Sequence, residues 1–285
     1  MTIRNARIGP MTDEFAEAFA GRSIYSVGDL YSGYDQFQLA VESKDITTMR
    51  TPLGPVRMCT LPEGGTNSVA HMVNAMNKVL RDCIPDITML FLDDIPIKGC
   101  PVEKNNASVG PDGCRRFVTD HINDCEKILE RLEGARVTFS GEISSFWQSE
   151  ILVVGHLCGP YGRKPSPTKV EAIFAMKDEC TTVTEVRRIL GACAFYHIWI
   201  PHYAHIAEPL YGLLKKGRKF EWNREHVESV QKLKEALMTA SALKKAMYER
   251  DTPVYVTVDT SQTEIRWVIN QEDVGGTRFP IRFGA

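Results

Sequence analysis

Three acidic residues carry the strongest chemical signal in this sequence. Asp93 and Asp94 sit together between two apolar runs, residues 88–92 and 95–97, that are rich in strand formers. That pattern predicts a strand, a tight turn bearing both carboxylates, and a second strand. An Asp-Asp pair alone is ordinary turn chemistry, because short acidic side chains hydrogen-bond their own backbone there. The third acid, Asp29, ends another apolar stretch that begins at Ile24. One acid at a strand end and two on a neighbouring hairpin can converge on a pair of divalent cations, the arrangement that two-metal phosphoryl transfer requires.

The elements that must position these acids follow from periodicity. Thr12 caps a short helix carrying Phe15, Ala18 and Phe19, with Gly21 as its stop. Phe37, Leu39 and Val41 alternate with Gln38 and Ala40, which predicts a half-buried strand. Residues 48–51 and 56–59 are expected to pair across Pro52-Leu53-Gly54-Pro55. Thr66 or Asn67 caps a long helix whose stripe is Val69, Met72, Val73, Met76, Leu80 and Cys83. After a polar loop to Gly113, a helix presents Phe117, Val118, Ile122, Cys125, Leu129 and Leu132, and strands follow at 137–139 and 151–154. This order predicts an α+β fold, a small antiparallel sheet with helices packed on one face. From Ser166-Pro167 the pattern turns helical: Thr182 and Glu185 form a capping box, and Asn223 caps a further helix. Residues 253–259 return to strict alternation, with 265–270 as a hairpin partner.

Composition bounds the class. The chain has 285 residues, 43% apolar and 25% charged, enough for two or three small soluble domains. Its formal charge of −2 argues against general nucleic-acid affinity, so any such surface is a local basic patch, with Arg163 to Lys169 and Lys215 to Lys219 as candidates. The eight cysteines contain no C-x-x-C pair, which points to a reducing, intracellular setting, a cytoplasmic particle or the nucleus. Cys114, His121 and Cys125 could contribute to a zinc site, although no fourth ligand is evident; His197, His202 and His205 suit packing or capping better than metal. No apolar run approaches the roughly twenty residues of a membrane span, and residues 2–10 do not read as a secretory leader.

Five motifs then appear in a recognisable order: Asp29 to Phe37; Thr51 to Gly54 with Leu61 to Ser68; Phe91-Leu92-Asp93-Asp94; Val153-Val154-Gly155-His156; and Arg187 to Pro201. Over nearly the whole chain they resemble the reverse transcriptase region of a gypsy-type long terminal repeat retrotransposon polyprotein. The resemblance implies an RNA-directed DNA polymerase with a palm and partial fingers over 1–156, a mainly helical thumb and connection over 157–250, and the start of a ribonuclease H-like domain over 251–285. It implies that Asp29 and Asp93 bind two magnesium ions with Asp94 beside them. Tyr34 would lie under the incoming sugar, Glu63 and Gly64 would meet the nucleotide, and Gly155 and His156 would hold the primer end. Asp259 would be the first metal-binding acid of the nuclease, or equally a turn residue. The implied partners are a primed RNA or DNA template, deoxynucleoside triphosphates, and further polyprotein segments or a second copy of the chain.

Three departures from the family pattern stand out. Only 28 residues precede Asp29, so basic residues that the family places upstream to meet the triphosphate are expected to be missing. Glu63 stands where Gln or an aromatic is usual, and a carboxylate beside a polyanion costs roughly 1 kcal/mol or more at short range. Ile143 stands where a Lys is frequent. At the other end, 26 residues follow Asp259, too few for the remaining nuclease acids. Two readings remain: a polymerase region working within a longer polyprotein, or a catalytically dead remnant that binds nucleic acid or protein. A small metal-dependent nuclease built on Asp259 is a third.

Overall fold

The computed structural model describes residues 11–247, 252–260, 265–273 and 275–284. Two compact units emerge. One gathers the chain up to Phe15 with Arg22–Val154; the other gathers Ala16–Gly21 with the chain from Gly155 onward.

The first unit is built on three antiparallel strands. After α1 (Thr12–Phe19), the chain enters β1 (Tyr25–Asp29). It then passes α2 (Val41–Lys44), the hairpin β2 (Met49–Thr51) and β3 (Gly54–Val56), α3 (Ser68–Val79), β4 (Asp94–Lys98), α4 (Arg116–Gly134), β5 (Ser145–Gln148) and β6 (Ile151–Val153). β1 lies centrally in the order β4-β1-β5. Ile95 and Ile97 on β4 share one core with Met72 and Met76 of α3 and with Cys125, Ile128 and Leu132 of α4. Side chains alternate across a pleated strand, so both helices cover the face that Ile95 and Ile97 present. This is the α+β arrangement expected from the sequence.

Several local expectations need correction. The predicted strand at 37–41 is irregular chain, and α2 begins at Val41, which is exposed. Phe37 and Leu39 do pack on the core, so alternating burial was right where extended backbone was not. The stripe of α4 is His121, Cys125, Ile128 and Leu132, with Leu129 turned outward. On α3, Val69 is exposed while Ala70 is buried. Residues 137–139 form only a bridge, Phe139 to Leu30, and β5 was not anticipated. The zinc candidates do not assemble: His121 is buried with its Nε2 2.9 Å from Ser26 Oγ, whereas Cys114 is an exposed loop residue.

The second unit begins with a hairpin, β7 (His156–Gly159) and β8 (Gly162–Pro165). Four helices follow: α5 (Pro167–Phe174), α6 (Val183–Phe195), α7 (Tyr203–Gly212) and α8 (Arg224–Met238). Leu190, Cys193, Trp199, Leu210, Val230 and Leu233 anchor their shared core. The α6 capping box stands as expected, with Thr182 accepting from the Glu185 N–H. Asn223 caps α8, and His226 rather than a carboxylate completes that box. A three-stranded antiparallel sheet, order β11-β10-β9, is made by β9 (Val254–Thr260), β10 (Ile265–Glu272) and β11 (Arg278–Gly284). The last strand was not foreseen. Of the candidate basic run Arg163 to Lys169, Arg163 is buried and paired with Glu17 at 3.2 Å, so it is structural; Lys215 to Lys219 are exposed. No helix among the described residues is long and apolar enough to cross a membrane.

Candidate active site

Strand register brings the first and last acids together. In the β1–β4 ladder Asp29 stands directly opposite Asp94, and Gly28 opposite Ile95. Directly opposed residues of an antiparallel pair project from the same face of the sheet. Because Ile95 faces the helices, the pleat sends Asp94 and Asp29 to the other face, at the end of the ladder away from the buried Tyr25 and Lys98. Asp93 is supplied by a two-residue turn: the Asp94 N–H donates to the Phe91 carbonyl at 2.8 Å, and the Phe91 N–H donates back at 3.2 Å. Leu92 takes a left-handed φ of 58° in that turn, a conformation that costs a non-glycine residue about 1 kcal/mol. The Phe91 ring meets Phe15 edge-on, with centroids 5.4 Å apart, and anchors the hairpin.

The three acids act on one another's ionisation. The surroundings of Asp94 strip water from its carboxyl, and the charges of Asp93 and Asp29 add to this, raising its pKa to about 6. Asp29 is raised in the same direction by desolvation and then by Asp93. Carboxylates that hinder one another's ionisation are relieved by a hard divalent cation, which carboxylate oxygens suit. Among the described residues, however, no group of three His, Cys, Asp or Glu side chains stands close enough to hold a metal ion.

Tyr34 belongs to the same neighbourhood. It lies on a 3-10 turn, Gly33–Gln36, and its phenol pKa is raised by burial, then by the charges of Asp93 and Glu63. Glu63 and Gly64 occupy an exposed turn, with Gly64 at φ 77°. That turn is tied to the Tyr34 segment by the Leu61 N–H donating to the Phe37 carbonyl at 2.8 Å, and by Thr60 Oγ1 donating to Asp35 at 3.0 Å. Behind Asp29, the Ser140 N–H donates to its carbonyl at 2.8 Å, and its own N–H donates to Ser144 Oγ at 3.2 Å. A Cβ on Gly28 would lie 1.5 Å from the Phe139 ring, so only glycine lets that ring lie over the strand. Ile143 is exposed. Sequence reasoning missed Phe139 and Ser144; the one available signal was a glycine inside a strand, which marks close approach by another group.

The remaining candidates lie in the second unit. Val154 and Gly155 both have left-handed φ, and Tyr196 donates its hydroxyl proton to the Gly155 carbonyl at 2.7 Å. The His156 ring is fully buried, stacked on Phe195 and Trp199 at centroid distances of 5.3 and 5.1 Å. Desolvation lowers its pKa to about 4. Its imidazole is therefore a neutral core ring, closed to direct contact with a nucleic acid. Asp259 is the penultimate residue of β9, exposed and opposite Arg266 in the ladder.

Solved structures share this arrangement of elements. The chain superposes on a foamy viral protease-reverse transcriptase bound to double-stranded DNA with a TM-score of 0.82 at 20% identity, covering 99% of this chain and 46% of that one. A foamy viral protease-reverse transcriptase in complex with an RNA/DNA hybrid gives 0.75 at 22% identity, with 96% and 34% coverage. The fold is that of a reverse transcriptase. In sequence, the homologues are retrotransposon Pol polyproteins: that of transposon 297 of Drosophila melanogaster is 27% identical over 92% of this chain, and that of transposon gypsy of the same organism is 27% identical over 86%. The Tf2-3 polyprotein of Schizosaccharomyces pombe is 19% identical over 96%. The chain spans about a quarter of the two fly proteins, 23% of each. No family model matches it.

Proposed function

We propose that this chain is the palm-to-connection region of an RNA-directed DNA polymerase that extends a primer by nucleotidyl transfer. The observation that carries this reading is the pairing of Asp29 with Asp94 at the end of the β1–β4 ladder, beside the turn that holds Asp93. Asp29 and Asp93 would hold two magnesium ions, with Asp94 supporting the cluster. Magnesium bound there would help the primer 3′-hydroxyl lose its proton and would neutralise charge on the departing pyrophosphate. The protein's own part is to hold the carboxylates on two adjacent strands, fixed by the ladder and by the Ser140 and Ser144 bonds. Tyr34 would meet the incoming sugar, and Glu63 and Gly64 the nucleotide. Primer contact would fall to the backbone at Gly155, with the buried His156 supporting it from the core. The first unit would serve as palm with partial fingers, the helices α5 to α8 as thumb and connection, and the sheet β9 to β11 as the start of a ribonuclease H-like domain that includes Asp259. Primed RNA or DNA, deoxynucleoside triphosphates and further polyprotein segments would be the partners.

A second reading is a remnant that binds without turnover, favoured by the added negative charge of Glu63 beside Tyr34. Primer extension on poly-rA with magnesium separates the two. The polymerase reading expects extension, in the chain or in the chain joined to its upstream polyprotein segment, and its loss on Asp93→Asn. Extension that survives Asp93→Asn would overturn the metal assignment.

A further inference from the structure

One side chain beside the site bonds as a peptide group would. Gln36 Oε1 accepts from the Thr138 N–H at 2.5 Å, while Gln36 Nε2 donates to the Thr138 carbonyl at 3.0 Å and to the Tyr31 carbonyl at 2.6 Å. The amide orientation is fixed by its partners, since only its oxygen can accept and only its NH2 can donate to two carbonyls. The Tyr31 N–H also donates to Thr138, at 3.1 Å, so Gln36 extends a short ladder by one rung.

What Gln36 joins gives the bonds their meaning. On one side is the four-residue turn that carries Tyr34, entered through Ser32 at φ 45° with no side-chain cap. Turns of this kind are weakly held by their own bonds. On the other side is Thr138, next to Phe139, which bridges Leu30 and lies over Gly28. Gln36 therefore links the Tyr34 turn to the strand that ends in Asp29.

We propose that Gln36 is a positioning residue for deoxynucleotide selectivity, holding the Tyr34 turn at a fixed distance from the Asp29 strand. The proposal rests on the polymerase reading and on Tyr34 meeting the sugar. An aromatic wedge excludes a 2′-hydroxyl by shape alone, so its selectivity depends on where the ring is held. With the turn released, the ring yields to the larger sugar and ribonucleotides gain relative to deoxynucleotides.

Gln36→Met keeps the side-chain length and removes all three bonds. In an extending preparation, the ratio of kcat/KM for deoxynucleotide over ribonucleotide is expected to fall about tenfold, with a smaller fall in deoxynucleotide kcat. Tyr34→Ala lowers the ratio further, and adding Gln36→Met to it changes nothing more, because both act through one ring. A readout independent of activity is the Tyr34 phenol titration, followed by carbon-13 NMR of labelled tyrosine and assigned with Tyr34→Phe. In Gln36→Met it should move back toward the ordinary tyrosine value as the ring loses its burial and then the charges of Asp93 and Glu63. An unmoved Tyr34 titration, or equal losses on both sugars with the ratio unchanged, overturns the proposal. Absent extension, or extension indifferent to Asp93→Asn, refutes the polymerase reading and the selectivity claim with it; an unmoved ratio in an Asp93-dependent enzyme refutes the selectivity claim alone.

Discussion

At the scale of single residues, the acids make the fold less stable at neutral pH. Asp94 titrates near 6 in the folded chain, against 3.8 ordinarily, so between about pH 4 and pH 6 the folded state binds more protons than the unfolded one. Stability contributed by this group therefore falls as pH rises through that window and stays low above it. Asp94→Asn should remove the loss, giving a higher Tm than the natural chain at pH 8 and no gain at pH 4 by circular dichroism melts. Equal Tm differences at both values would show that Asp94 is not coupled to its neighbours. Gly28→Ala forces a methyl into the Phe139 ring and should cost about 1–3 kcal/mol in urea unfolding. A neutral result would mean that Phe139 does not rest on β1.

At the scale of elements, local chemistry was legible in the sequence wherever it was carried by neighbours in the chain. The α6 box needs only Thr182 and Glu185, three residues apart, and the Asn223 cap needs only α8. Thr182→Ala should lower stability by about 1 kcal/mol, measured by chemical denaturation, because the Glu185 N–H then loses its acceptor. At α8 the His226 Nδ1 accepts from the Asn223 N–H at 3.1 Å, and desolvation lowers its pKa. Its share of stability is present above the ordinary histidine range and lost as pH falls, so His226→Gln should flatten the acid limb of the unfolding curve below about pH 6.5. An acid limb identical to that of the natural chain would contradict this. Legibility failed where the deciding partner was distant. His121 was considered as a zinc ligand, yet it is buried on α4 with its Nε2 bonded to Ser26, 95 residues away. Alternation at 37–41 reported burial faithfully and backbone wrongly, since the same in-out pattern arises when irregular chain lies along a core.

At the scale of the whole molecule, the acidic hairpin and the Asp29 strand were readable from residue type and order, and their meeting was expected by analogy with the family motifs rather than from the strands themselves. Nothing in the composition of Tyr25–Asp29 specifies that it pairs with Asp94–Lys98; that follows from the core, where Ile95 and Ile97 face α3 and α4 and leave the opposite face to the acids. The family motifs supplied the order of parts, while the buried position of His156, the link made by Gln36 and the strand β11 needed coordinates. The central claim is that Asp29, 64 and 65 residues before the other two acids, acts with them at one site. Single-nucleotide incorporation on a primed RNA template, compared between the natural chain and Asp29→Asn across a magnesium titration, tests this most directly. The account predicts incorporation that saturates with magnesium in the first and is absent at every concentration in the second. Incorporation by Asp29→Asn at the natural rate and with the natural magnesium dependence would contradict it.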